Sequence, residues 1–111
     1  MPQWNNHLLN DDSPAPVLFL NDLADIINQR KSDMPEGSYA TSLLSEGKSR
    51  IAQKVGEEGV ELALARMKDD KDEIANEAAD LLFHMLVLLA DADMSLGDVL
   101  TVLKKRHANS K

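Results

Sequence analysis

Two short stretches of this 111-residue chain place acids where the surrounding pattern calls for burial. In "VGEEGVEL", residues 55–62, Glu58 and Glu61 stand three apart, with Glu57 beside them. In "NEAAD", residues 76–80, Glu77 and Asp80 repeat that spacing. Side chains three apart on a helix are neighbours on one face, so each pair aims two carboxylates at one place. Paired carboxylates suit two jobs: oxygen ligation of a hard cation, and proton transfer by a carboxylate beside it.

On a helical wheel of about 100° per residue, Ile51, Val55 and Leu62 form one stripe, and Glu58 falls within it. Glu61 lies about 60° from Glu58, on the stripe's edge. Lys54 lies between them in angle one turn earlier, and Glu57 flanks Glu61 on the outer side. On the next helix, Ile74, Leu81, Met85 and Leu88 form a stripe widened by Ala78 and Leu82, with Glu73, Glu77, Asp80 and His84 along one edge. If the two helices reverse at the "KDDKDE" turn, Glu61 and Glu77 stand at matching levels, each about eight residues from it. Four carboxylates then converge. Like charges and desolvation both oppose this, and Lys54 offsets only one charge. A divalent cation offsets more, and all-oxygen ligation points to Mg²⁺, with Mn²⁺ as the alternative. The plain alternative is a solvated acidic face with a Lys54–Glu58 ion pair. His84 reads as a core histidine bonded to a neighbour such as Asp80, outside the ligand set.

The elements that must position these groups are all helical. Apolar residues Leu20, Leu23, Ile26 and Ile27 predict a helix from Leu18 to about Lys31. "SDMPEGS" is a connector, Ser38 starts a short helix, and Gly47 stops it. Helices follow over 48–67 and from Asp70, with Glu73 completing a capping box, to about residue 92. Ser95 and Asp98 cap a last helix ending in Lys104, Lys105 and Arg106. No strand pattern appears. The fold class is all-α, a helical bundle of four to five helices over 18–111, preceded by an irregular lead-in, 1–17. Val60, Leu64 and Met67 lie opposite the buried stripe of their helix; a helix apolar on two sides has two neighbours. The bundle is therefore expected to be completed by homodimerisation.

Composition sets outer bounds. A net charge of −7 argues against nucleic acid as a partner, though not against a phosphate-bearing small molecule held through a cation. There is no cysteine, which excludes disulfides and thiolate chemistry. No stretch approaches the roughly 20 apolar residues of a membrane span, and no signal peptide is recognisable; the expectation is a cytoplasmic protein.

"EEGVE" followed by "NEAAD" resembles the ExxE…ExxD signature of the MazG-like all-α nucleotide pyrophosphohydrolases. "PEGSYATSLLSEGKSRIAQKVGEEGVELALA", "NEAADLLFHMLVLL" and "LKKRH" are similar to one member family, the phosphoribosyl-ATP pyrophosphatases, over residues 19–107. That resemblance implies Mg²⁺-dependent hydrolysis of phosphoribosyl-ATP to phosphoribosyl-AMP and pyrophosphate in histidine biosynthesis. It implies metal ligation by Glu58, Glu61, Glu77 and Asp80; for such a reaction the catalytic candidates are Glu57, Glu58 and Glu61, one of which would position the attacking water or take its proton. It also implies substrate contacts from Ser38, Tyr39, Arg50 and Lys54. The family's "SYT" reads "SYA" here, with Thr41 following Ala40. In some organisms the family is fused to a cysteine-bearing, zinc-binding domain; the lack of cysteine and the length make this chain similar to the stand-alone form. Two rivals remain open on the residues: an enzyme hydrolysing ordinary or modified nucleoside triphosphates, and a non-enzymatic helical dimerisation module.

Overall fold

The computed structural model describes residues 16–110. Among the described residues five helices follow one another: α1 (Pro16–Asp33), α2 (Tyr39–Glu46), α3 (Lys48–Lys68), α4 (Lys71–Asp91) and α5 (Leu96–Asn109). There is no strand among the described residues. The all-α expectation holds.

The first described helix begins at Pro16, two residues ahead of the start at Leu18 read from the apolar spacing. Proline suits the first helical position, where its missing N–H would have no helical partner and its fixed φ is already helical. The rest of the lead-in lies outside the described residues. The 34–38 connector turns through left-handed backbone at Met34 (φ 47°) and Gly37 (φ 84°). Ser38 then caps α2, its side chain accepting from the Thr41 N–H at 3.2 Å.

Gly47 (φ 95°) separates α2 from α3, as the sequence predicts. Between α3 and α4 stand two residues: Asp69, in left-handed backbone (φ 57°), and Asp70, whose side chain accepts from the Glu73 N–H at 3.1 Å. The reciprocal half of that capping box is not made, because the Glu73 carboxylate turns to Lys68 at 3.2 Å. At α5 the box is complete: Ser95 and Asp98 each accept from the other's backbone N–H.

The core joins Leu23 and Ile27 of α1, Ala40 and Leu43 of α2, Ile51 of α3, and Phe83, Leu86, Val87, Leu89 and Ala90 of α4, with Leu96 of α5 closing one end. The contact between α3 and α4 is the most extensive in the fold, and α4 also packs on α1 and α2. This corrects the face expected for α4. Ile74, Leu81, Met85 and Leu88 are half-buried and Leu82 is 41 % exposed, whereas Phe83, Leu86, Val87 and Ala90 are fully covered. Beyond Asp80 the helix is apolar on nearly every side, His84 apart, so its own pattern cannot rank faces; packing against α3, α1 and α2 does that. Lys31 fixes the end of α1 to the end of α4, donating to the Ala90 carbonyl at 2.7 Å and pairing with Asp93 at 2.5 Å.

Candidate active site

The α3–α4 hairpin brings acids together. One carboxylate oxygen each from Glu58, Glu77 and Asp80 lies within 4.8 Å of the others. That spacing lets three oxygens share one divalent ion at ligand distances of about 2.0–2.6 Å. Glu58 is buried at 5 % exposure, in the stripe with Ile51 and Ala65. Glu61 stands outside this triple. It is exposed, and its carboxylate contacts that of Glu77. Glu57 is also exposed and outside the triple.

The cluster is electrostatically unsatisfied. The Oε2 atoms of Glu58 and Glu77 are buried without a hydrogen-bond partner among the described residues. Lys54 approaches Glu58 Oε1 at 3.4 Å and offsets one charge. Burial, the hydrogen bond and charge of Glu61, and the charges of Asp80 and Glu58 push the Glu77 carboxyl up to about 7. Buried acceptor oxygens with no donor, on acids crowded enough to hold a proton, are what a hard cation would satisfy. The donor set therefore fits Mg²⁺ or Mn²⁺.

A hydrogen-bonded chain lies behind the acids. His84 is 1 % exposed. Its Nδ1 faces the Asp80 carbonyl at 2.7 Å, which only accepts, so Nδ1 carries the proton. In the neutral ring Nε2 then accepts, and the Tyr39 hydroxyl donates to it at 2.8 Å. The Tyr39 ring stacks on Phe83 (centroids 5.9 Å apart) and meets His84 edge-on. Desolvation raises the Tyr39 pKa above its ordinary value; Lys54 and Arg50 pull against this, while Glu58 and Asp80 add to it. These same groups mark where the phenol lies: beside the acid cluster. Desolvation would lower Lys54, but Tyr39, Glu58 and Glu57 outweigh it and hold the ammonium above its usual range.

The other expected contact residues differ in their surroundings. Arg50 is exposed and pairs with Glu46 at 3.6 Å. Ser38 is half-buried and serves as the α2 cap. Ala40 is a core methyl, and Thr41 Oγ1 is buried without a hydrogen-bond partner among the described residues. A cavity of about 270 Å³ adjoins Tyr39, bounded by α1, the 37–38 turn and Phe83. Arg30 lines it. In the sequence Arg30 is marked only as a cation one turn ahead of the connector.

Fold and site together define the class: an all-helical chain whose carboxylate centre is divided between two consecutive helices. The profile of the family described as phosphoribosyl-ATP pyrophosphohydrolase matches residues 20–107, and the chain belongs to that family. It is similar to the histidine biosynthesis bifunctional protein HisIE of Shewanella oneidensis, 53 % identical over 93 residues, covering 84 % of this chain and 44 % of that protein. It is equally similar to HisIE of Escherichia coli, 53 % over 96 residues (86 % and 47 %), and of Campylobacter jejuni, 53 % over 93 residues (84 % and 45 %). The chain thus spans about half the length of the curated relatives it matches.

Proposed function

We propose that this chain hydrolyses phosphoribosyl-ATP to phosphoribosyl-AMP and pyrophosphate, as a step of histidine biosynthesis, with Mg²⁺ as its cofactor. The observation that carries the reading is the convergence of Glu58, Glu77 and Asp80 within 4.8 Å in a chain of this family.

In this reading Glu58, Glu77 and Asp80 hold the cation, with Glu61 at its exposed side. A cation bound there would neutralise phosphate oxygens and stabilise the charge that develops on departing pyrophosphate. The chain's own residues supply the rest. Lys54, held firmly protonated, adds a positive charge beside Glu58. Arg50 adds another at the exposed rim. Glu61, exposed and touching Glu77, takes the proton of the attacking water in this reading. Glu57 acts through its field on Lys54. Tyr39, fixed by His84, presents its ring and hydroxyl at the border of the cluster. Water is the nucleophile, so no covalent intermediate is required.

A homodimer belongs to the same proposal, supported by the exposed apolar residues of α3. So does a cytoplasmic location, because a substrate bearing several phosphates does not cross a bilayer unaided. Among the described residues no helix is long and apolar enough to cross a membrane.

The test is pyrophosphate release from phosphoribosyl-ATP in excess Mg²⁺, beside ATP and dCTP. Efficient release from phosphoribosyl-ATP alone supports the reading; equal turnover of all three, or none, rejects it. Glu58→Gln and Asp80→Asn should each cut kcat by about 100-fold or more while leaving helicity intact, the scale on which single groups stabilising transition-state charge act. Near wild-type kcat in either variant removes that ligand from the assignment.

A further inference from the structure

The acid cluster accounts for one end of the substrate only. Phosphoribosyl-ATP carries a triphosphate at one end and a second, phosphorylated ribose at the other. A cation held by carboxylates serves the triphosphate. The remote phosphate needs a positive or hydrogen-bonding site of its own, since bare acids would repel it.

We infer that the cavity beside Tyr39 is a second subsite, which takes the phosphorylated ribose remote from the bond that breaks, with Arg30 as its phosphate contact. The inference rests on the proposed substrate and adds where its far end binds. Four observations carry it. The first is size: about 270 Å³ falls just below the range of whole-ligand clefts, about 300–1,000 Å³, and suits one arm of a larger molecule. The second is charge. No acid lines this cavity, in a chain of net charge −7. Arg30, half-buried on its wall, has no ion pair or side-chain hydrogen bond among the described residues. Its neighbour Lys31, by contrast, is committed to Asp93 and the Ala90 carbonyl. An unpaired guanidinium presents a planar fork that matches phosphate oxygens two at a time.

The third observation is Ser38, which also lines the cavity. As the α2 cap it accepts from the Thr41 N–H, and accepting leaves its own proton free to donate. The fourth is continuity. Tyr39 belongs to both places: its ring, stacked on Phe83, walls the cavity, and its hydroxyl meets His84 beside the acids. One substrate crossing Tyr39 reaches both. The same arrangement separates phosphoribosyl-ATP from ordinary nucleoside triphosphates, which have no second ribose and no remote phosphate to place.

The test compares phosphoribosyl-ATP with ribosyl-ATP, the same molecule without the remote phosphate. Wild type should favour phosphoribosyl-ATP in kcat/KM by about 10-fold or more, the range of a hydrogen-bonded ion contact. Arg30→Gln should erase most of that preference, chiefly through KM, with an unchanged thermal melt. Arg30→Lys, which keeps the charge but loses the fork, should restore part of it. Equal preference in wild type and Arg30→Gln overturns the subsite while leaving the proposed activity standing. A wild type that releases no pyrophosphate from phosphoribosyl-ATP rejects the activity, and the subsite with it. Should Arg30→Gln melt lower, Arg30→Lys decides: native stability with a reduced preference for phosphoribosyl-ATP supports the contact, because the fork is lost, and native stability with the full wild-type preference overturns it.

Discussion

Glu77 is the residue in which the tension of the site is concentrated. Its carboxyl is pushed up to about 7 by burial first and then by Glu61, Asp80 and Glu58. The folded protein therefore keeps a proton, between the ordinary carboxylate range and about 7, that the unfolded chain has released. Where the folded state binds more protons, stability falls as pH rises. Cation-free protein should accordingly lose thermal stability between about pH 5 and about pH 7.5 through this group. A cation must displace the same proton, so its effect should run the other way. The rise in melting temperature on adding excess Mg²⁺, measured against chelator, should be small near pH 5 and grow toward about pH 8. A Glu77→Gln variant, with nothing to titrate at that position, should flatten the cation-free slope. A melting temperature that responds to Mg²⁺ no more than to equal ionic strength of NaCl, at every pH, would mean the acids hold no cation. The burial of Glu58 was readable from the sequence, because its angle on the α3 wheel is fixed by Ile51 and Val55. The division of the four acids into a close triple plus Glu61 was not: that depends on distances across α3 and α4, which a wheel does not contain.

At the scale of elements, the α3–α4 hairpin makes the site, and its connector sets the register. Asp69 adopts left-handed backbone and Asp70 caps α4, so the reversal takes two residues. A short connector leaves little freedom to slide one helix along the other, which is why counting about eight residues to either side of the turn matched Glu61 with Glu77. Asp70→Ala removes a single-sided cap and should cost about 1 kcal/mol of stability in denaturant unfolding. Ser95→Ala breaks a two-sided box at α5 and should cost at least as much. The two should still differ in consequence. Loss of the Asp70 cap frays the turn leading to Glu77 and should weaken Mg²⁺ binding, whereas loss of the Ser95 cap should leave it unchanged. Equal effects on Mg²⁺ affinity would show that the connector does not hold the acids in place. Helix identity was legible because the caps are local: Ser38, Asp70 and Ser95 announce themselves within a few residues. The buried face of α4 was not legible. Phe83, Leu86, Val87 and Ala90 belong to a core shared with α1, α2 and α3, so their burial depends on sequence outside α4.

For the whole molecule, the described residues leave several large apolar side chains of α3 and α5 exposed. Val60, Leu64 and Met67 of α3 are 60, 55 and 80 % exposed, and Leu100 and Leu103 of α5 are 49 and 55 % exposed. Adjoining apolar side chains on a helix face mark an interaction surface more often than an accident of packing. On the α3 wheel, Glu57 falls between Leu64 and Glu61, so the apolar face runs into the exposed acids. A second copy covering that face would shield the open side of the cluster from water, which strengthens every charge interaction within it. The proposed dimer is thus tied to the proposed chemistry. Val60→Lys with Leu64→Lys tests the link, since lysine is at least as good a helix former as valine or leucine, and both positions are exposed. The wild type should sediment as a dimer at micromolar concentration and the double variant as a monomer of unchanged helicity. Pyrophosphate release by the variant should fall by about 10-fold or more if covering the acids matters to the transition state. A monomeric wild type would refute the dimer. A monomeric variant with full activity would refute only the tie between the dimer and the acid centre, because the acid triple lies within one chain.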